Sequence, residues 1–218
     1  GPSRRLSLQG YHLDIPGPLG ADLLSITTAT GIGSAARPLR IGANQMALTS
    51  TDSGGIFVTS SHAATIAAAS HDGDIVIRMA DSTAPGYGGQ FPNITVGTVL
   101  GLSGITTTGS GPGLGNITLI AGHGLPDGRC CAGTGGSITV NAPVNATQAV
   151  TLTAGHGAYT ALGALEAEGG RPGGSIMLNA PLNAATTATL TAGGGGVGGK
   201  GLSSGADPGG PGGALVLK

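Results

Sequence analysis

The stretch Gly135–Ala158, GGSITVNAPVNATQAVTLTAGHGA, returns at Gly173–Gly196 as GGSIMLNAPLNAATTATLTAGGGG. The two copies align without a gap at a constant offset, from Gly135 to Gly173, and they are identical at 15 of 24 positions. Each copy holds two short runs in which apolar residues alternate with Ser or Thr, which is the pattern of a half-buried strand. A turn-like Asn-Ala-Pro separates these runs. Repetition at a fixed period predicts an architecture of stacked, equivalent units.

A simpler strand signal recurs from residue 55 to the end of the chain. A small or turn-forming residue precedes Ile or Leu, and Val, Ile or Leu follows two positions later. A unit of ~20 residues is too short for a βαβ unit, which needs roughly 30, but it fits one coil of a β-solenoid. The sequence therefore predicts an all-β fold, a parallel β-helix of ~20 residues per rung over 24–218. The signal begins at Ile56, Ile75, Ile94, Ile117, Ile138, Ile176 and Leu215, and Leu152 and Leu190 are second anchors inside the two longest intervals.

The composition is that of a chain with a thin aliphatic core. Gly accounts for 45 of 218 residues and aromatic residues for 2%, yet hydrophobic residues make up 39% and the mean hydropathy is +0.25. A disordered Gly-rich chain would be hydrophilic or highly charged. The net charge is −1 and no basic cluster occurs, so neither a nucleic-acid partner nor membrane insertion is expected.

The remaining segments depart from the strand signal. The range 1–23, with Pro16 and Pro18, predicts a segment that is either irregular or an incoming edge of the solenoid, and positions 1–3 are typical of what a protease leaves after tag removal. Gly-rich loop insertions are expected at 123–136, 156–174 and 194–213. Because each loop precedes a Gly-[Ser/Ala]-[Ile/Leu] strand, all three should leave the solenoid at one corner. Such stacked insertions form either a binding face or a mobile decoration.

Several residues in these loops are candidates for contact with a partner. His123 and His156 each stand between an Ala-Gly and a Gly, so they are either a ligand pair or turn residues. Cys130 and Cys131 are adjacent, which allows a strained vicinal disulfide or two free thiols. A zinc site with His123 lacks a visible fourth ligand. No cofactor or metal is expected. The candidate interaction residues are His123, Arg129, His156, Tyr159, Arg171 and Lys200.

Asparagines and acidic residues at the corners have mainly structural interpretations. Asn141 and Asn179 are equivalent, as are Asn145 and Asn183, which predicts amide ladders between rungs. Asn93, Asn116 and Asn145 also match the glycosylation sequon. The ten acidic residues are scattered, whereas glycosidase chemistry requires two placed carboxyls, so the sequence does not indicate an enzyme.

The run GIGSAARPLRI at 31–41, with GGIFV at 54–58, GDIVI at 73–77 and the TLTAG and GGSI units, resembles filamentous-haemagglutinin-like adhesins of two-partner secretion. This resemblance implies a right-handed β-helix in a large secreted or cell-surface bacterial protein. It implies a stalk that presents adhesive loops to a receptor or glycan on a host or neighbouring cell. Arg4-Arg5 precede a run too short and polar for a signal peptide, so an export signal is expected elsewhere. A self-associating filament module and a glycan-active β-helix enzyme are the alternatives.

Overall fold

The structure, a computed structural model, describes residues 4–83, 93–109, 111, 114–125, 133–158, 170–196 and 209–218. These residues contain strands but no helix. Sixteen of the strands belong to one sheet, which is mostly parallel and winds through 307°. The predicted parallel β-helix is therefore confirmed.

The strands are short, as expected for a coil that turns a corner every few residues. They are β1 (Arg5–Gly10), β2 (Leu19–Thr28), β3 (Leu39–Ser50), β4 (Ile56–Ser60), β5 (Ala64–Ser70), β6 (Ile75–Met79), β7 (Ser82–Thr83), β8 (Ile94–Val96), β9 (Thr98–Val99), β10 (Leu102–Ser103), β11 (Ile105–Thr107), β12 (Ile117–Ile120), β13 (Gly124–Leu125), β14 (Ile138–Val140), β15 (Val144–Ala146), β16 (Val150–Thr153), β17 (Ile176–Leu178), β18 (Leu182–Ala184), β19 (Ala188–Thr191) and β20 (Leu215–Leu217).

Parallel pairing between successive coils arranges most strands from β4 onward into three faces. Face A stacks β4, β6, β12, β16 and β19. Face B stacks the first half of β5, then β8, β14, β17 and β20. Face C stacks the second half of β5, then β11, β15 and β18. From β14 onward the chain visits the faces in the order B, C, A before it starts the next coil.

The inward side chains of the three faces form one aliphatic column. Ile138 and Ile176, which are equivalent in the two repeats, are both 0% exposed. Because they pair directly, each covers the other, and no coil could bury its own apolar side alone. Small hydroxyl residues occupy one corner of the column, where Ser50, Ser70 and Thr107 stack in register and each donates to a backbone carbonyl. The chain itself therefore satisfies these three hydroxyl groups.

The predicted rung of ~20 residues is correct for the first coils and wrong for the later ones. Ile56 stacks on Ile75, but Ile75 stacks on Ile117, which is more than twice as far along the chain. Val150 stacks on Ala188 at the full offset of the long repeat. The error arises because the Ile-x-Val signal occurs on both face A and face B. Consecutive anchors in the later coils therefore lie on different faces of one long coil, and not on successive coils.

The N-terminal segment follows one of its two interpretations. The range 1–23 was expected to be irregular or an incoming edge, and β1 and the first residues of β2 lie within it. β1 pairs with β2 along its whole length, and β2 pairs in turn with β3. The two prolines precede β2, where a missing N–H removes no ladder bond. The solenoid thus includes residues well before Leu24.

The Gly-rich segments between faces A and B form a second layer outside the column. Three described segments leave face A, at 121–124, 154–158 and 192–196, and three return to face B, at 133–136, 170–174 and 209–213. We call these six segments the glycine wall. Outgoing and incoming segments alternate, and backbone hydrogen bonds of 2.7 to 2.9 Å join each to the next. The chain of donors and acceptors runs through Gly122, Gly136, Gly155, Gly174, Gly193 and Gly213.

Glycine is required at particular positions of the wall, because the backbone of a neighbouring segment occupies the place where a side chain would begin. A Cβ on Gly155 would overlap the carbonyl of Gly122, and one on Gly174 would overlap the carbonyl of Gly136. Each segment also bonds to the equivalent segment of the next coil, as Gly157 does to Gly194. Because each segment has hydrogen-bonded neighbours on more than one side, its backbone N–H and C=O groups are paired without the regular ladder of a β-sheet. The bases of the three predicted loops are therefore ordered and lie together at one edge.

Candidate functional site: a histidine stack on the glycine wall

Side-chain acceptors link successive coils at fixed positions. In one line, Asn93 Oδ1 accepts the N–H of Ser137 at 2.7 Å, and Ser137 Oγ accepts the N–H of Ser175 at 3.0 Å. Ser175 Oγ accepts the N–H of Ala214 at 2.9 Å. The small polar residue before β8, β14 and β17 therefore caps the equivalent residue of the next coil.

A second line of this kind contains the two predicted histidines. Asp81 Oδ1 accepts the N–H of His123, His123 Nδ1 accepts the N–H of His156, and His156 Nδ1 accepts the N–H of Gly194. All three distances are 2.9 Å. The two imidazole rings stack with centroids 5.1 Å apart and planes inclined by 12°. The expectation that both histidines lie on one edge of the rod is thus confirmed.

These contacts fix the chemical state of both rings. A ring nitrogen that accepts a backbone N–H carries no hydrogen, so Nδ1 is bare in His123 and in His156. The hydrogen of each neutral ring is then on Nε2. An imidazolium has no acceptor nitrogen, so neither bond survives protonation. The arrangement therefore requires two neutral imidazoles in the Nε2–H form.

The same assignment opposes a metal site at this pair. A neutral imidazole that binds a metal through Nε2 keeps its hydrogen on Nδ1, where these rings accept one instead. The stacked planes also do not converge on a common point. No group of three or more His, Cys, Asp or Glu suited to a metal occurs among the residues described. The pair is therefore better explained as part of the coil-to-coil linkage than as ligands.

The other predicted contact residues divide into two groups. Arg171 lies in an incoming segment of the glycine wall, where its N–H donates to Ala158 and its carbonyl accepts from Gly196. Its side chain is half-buried. The remaining predicted positions lie outside the described residues: Arg129, Cys130, Cys131, Tyr159 and Lys200.

The predicted asparagine ladders are present. Asn179 Nδ2 donates to Asn141 Oδ1, and Asn183 Nδ2 donates to Asn145 Oδ1, both at 2.8 Å. Asn116 Nδ2 donates to Asp74 at 3.0 Å, so a sugar on this sequon nitrogen would disrupt a bond between coils. The turn residue Asp74 also accepts the N–H of Asn116. Corner asparagines thus act as structural links.

The lines of side-chain acceptors between coils were not predicted, although the residues that form them are recognisable in the sequence. Asn93, Asn116, Ser137 and Ser175 each stand immediately before an Ile of the strand signal. The pattern indicated a turn-forming residue there, but not the hydrogen bond that it makes. That bond joins positions 33 to 44 apart in the chain, so the local sequence does not specify it.

Comparisons with known proteins do not assign the chain to a family. No protein-family model matches it, and the searches of curated proteins and of solved structures return no match. In the portion of the chain that the structure describes, no helix has the length and apolar character needed to cross a membrane.

Proposed function

We propose that this chain is a non-catalytic, rod-like segment of a large secreted or cell-surface bacterial adhesin. The solenoid serves as a rigid stalk, and the glycine wall holds three loops at one edge for contact with a receptor or glycan. The observation that supports this function best is the continuous chain of backbone hydrogen bonds through the wall. It ties the base of every loop to its neighbours, which fixes their spacing along the rod.

The structure suggests how to remove the loops without disturbing their bases. Gly210 donates to Gly196 at 2.7 Å, so the two ends of 197–208 lie side by side. Arg171 likewise donates to Ala158 at 3.3 Å across 159–169. A short link of glycine or serine can therefore replace either stretch. Shorter chains close a loop at little entropic cost.

The test compares these two replacements with the unaltered chain for binding to cells and to a glycan array. We expect binding to fall at least tenfold with one or both replacements, while circular dichroism remains β-rich. The matched control replaces the exposed Thr51, Asp52 and Ser53, at a corner away from the glycine wall, with other turn residues and keeps Gly54. Unchanged binding by a variant that carries both replacements would refute adhesion through these two loops.

A second function, self-association into a filament, is favoured by a separate observation. Leu215 and Leu217 of β20 are 50% and 68% exposed, and β20 pairs with β17 along only one edge. An exposed apolar strand edge is a template for pairing with another copy. Sedimentation velocity over a range of concentrations distinguishes the two functions, because a filament module grows with concentration. Substitution of both leucines by asparagine should then suppress that growth.

A further inference from the structure

We propose that the His123–His156 stack is a pH-sensitive link that strengthens the contact between the outgoing segments of the glycine wall near neutral pH and loosens it on acidification. This goes beyond the proposed function and does not depend on it. Imidazole is the side chain that ordinarily changes charge between about pH 5 and 8. Here its neutral form is built into the linkage between coils.

Protonation would remove two consecutive links at once. His123 Nδ1 holds the N–H of His156, and His156 Nδ1 holds the N–H of Gly194. Rotating a ring offers no remedy, because both nitrogens of an imidazolium are donors. Two positive rings with centroids 5.1 Å apart would also repel each other. The three outgoing segments would thus lose the side-chain bonds between them while their backbone bonds remain.

Few described charges surround the stack. The exposed carboxylate of Asp81, one coil earlier, accepts the backbone N–H of His123. Within the glycine wall the only other described charged residue is Arg171. No described carboxylate is bonded to His156.

The direction of the pH dependence follows from the donors and acceptors. Each link needs a ring nitrogen without a hydrogen, and protonation puts a hydrogen on that nitrogen. Acidification should therefore weaken both links.

Hydrogen exchange at the two donor amides tests the proposal directly. We expect protection of the His156 and Gly194 amides, corrected for intrinsic exchange, to fall about three- to tenfold between pH 7.5 and pH 5.0, the factor typical of one lost hydrogen bond. Nitrogen-15 spectra at pH 7.5 should show both rings in the Nε2–H form. An Nδ1–H form for either ring, or unchanged protection, would overturn the proposal.

Asparagine variants separate the switch from a merely structural role. Asparagine places an acceptor oxygen near the position of Nδ1 and does not titrate, and the chain itself uses Asn93 and Asn116 in this way. The double variant His123→Asn, His156→Asn should retain protection at both pH values. His71→Asn is the control, because Thr108 donates to the His71 carbonyl and so can accept from a protonated ring. If amide protection fell between pH 7.5 and pH 5.0 in the double variant as it does in the unaltered chain, the proposal would be contradicted. The absence of this fall in His71→Asn would contradict it as well.

Discussion

At the scale of single residues, coil-to-coil recognition rests on a side chain in one coil that accepts the N–H of its counterpart in the next. The half-buried Asn93 does this at 2.7 Å from Ser137. We expect Asn93→Ala to lower the free energy of unfolding by about 1 kcal/mol, because the N–H of Ser137 then lacks its acceptor. Urea denaturation measures the change.

Two further variants isolate the cause. Asn93→Ser should lose less stability than the alanine variant, since the hydroxyl of Ser137 performs the same role one coil later. Thr95→Val removes the sequon at Asn93 but keeps the acceptor oxygen of Asn93. If loss of this acceptor, and not loss of a sugar, destabilises Asn93→Ala, then Thr95→Val should not show the same destabilisation. Equal losses for alanine and serine would show that the acceptor is not what Asn93 contributes.

The residue scale also shows what the sequence could predict. The ladders at Asn141–Asn179 and Asn145–Asn183 were predictable because equivalent residues of a gapless repeat must stack. The histidine pair was predictable in position because each histidine stands between an Ala-Gly and a Gly. Its hydrogen bonds were not, because Asp81, which begins the line, lies outside the repeat and far before His123 in the chain.

At the scale of elements, the glycine wall converts apparent low-complexity sequence into ordered structure. We expect Gly155→Ala to destabilise the chain by about 1–3 kcal/mol or more, because the new methyl would meet the carbonyl of Gly122 and neither backbone can withdraw alone. Thermal unfolding followed by circular dichroism measures the loss.

Gly20→Ala is the matched control for this prediction. Gly20 lies in β2, it is exposed, and no atom stands within 4 Å of the place that a methyl group would take there. Because alanine also restricts the unfolded chain, this substitution should be neutral or slightly stabilising. If both alanine variants lost the same stability, close approach would not be the reason for glycine at residue 155.

The elements also show where sequence reasoning stopped. Period-two alternation identified the strands because burial of one face imposes it locally, as at Ile138–Val140. Glycine runs carry no such alternation, so 192–196 and 209–213 resembled loops. These segments are ordered because they bond to neighbouring segments, including those one coil away. The local sequence of a Gly-rich segment is the same whether or not such neighbours exist.

At the scale of the whole molecule, the solenoid changes its coil length while preserving its column. The path β1, β2, β3, β5, β8, β14, β17 and β20 is parallel throughout, although the interval between paired residues roughly doubles from Arg5–Leu23 to Ile138–Ile176. The additional residues leave the column and enter the glycine wall or the segments beyond it. A repeat period read from sequence therefore equals the coil length only when each coil carries one strand signal.

Coil length gives the sharpest test of the architecture. Deleting 138–175 removes one complete long coil and joins Ser137 to Ile176, so Ile176 takes the place of Ile138 beside Ile94. Leu182 and Ala188 then stack on Ile105 and Ile117 by the same offset. Because a solenoid's stability is a sum of coil and neighbour terms, this variant should remain β-rich and unfold cooperatively at a lower urea midpoint.

A deletion of half this length should behave differently. Removing 140–158 takes away β15 and β16 but leaves the start of β14, so one coil lacks its strands on faces C and A. The apolar column is then opened at that level, and we expect a broad or lost unfolding transition. Circular dichroism and urea titration of the two variants side by side decide the point. If the half-length deletion unfolded as sharply as the full one, the later coils would close every ~20 residues and the three-face register would be wrong.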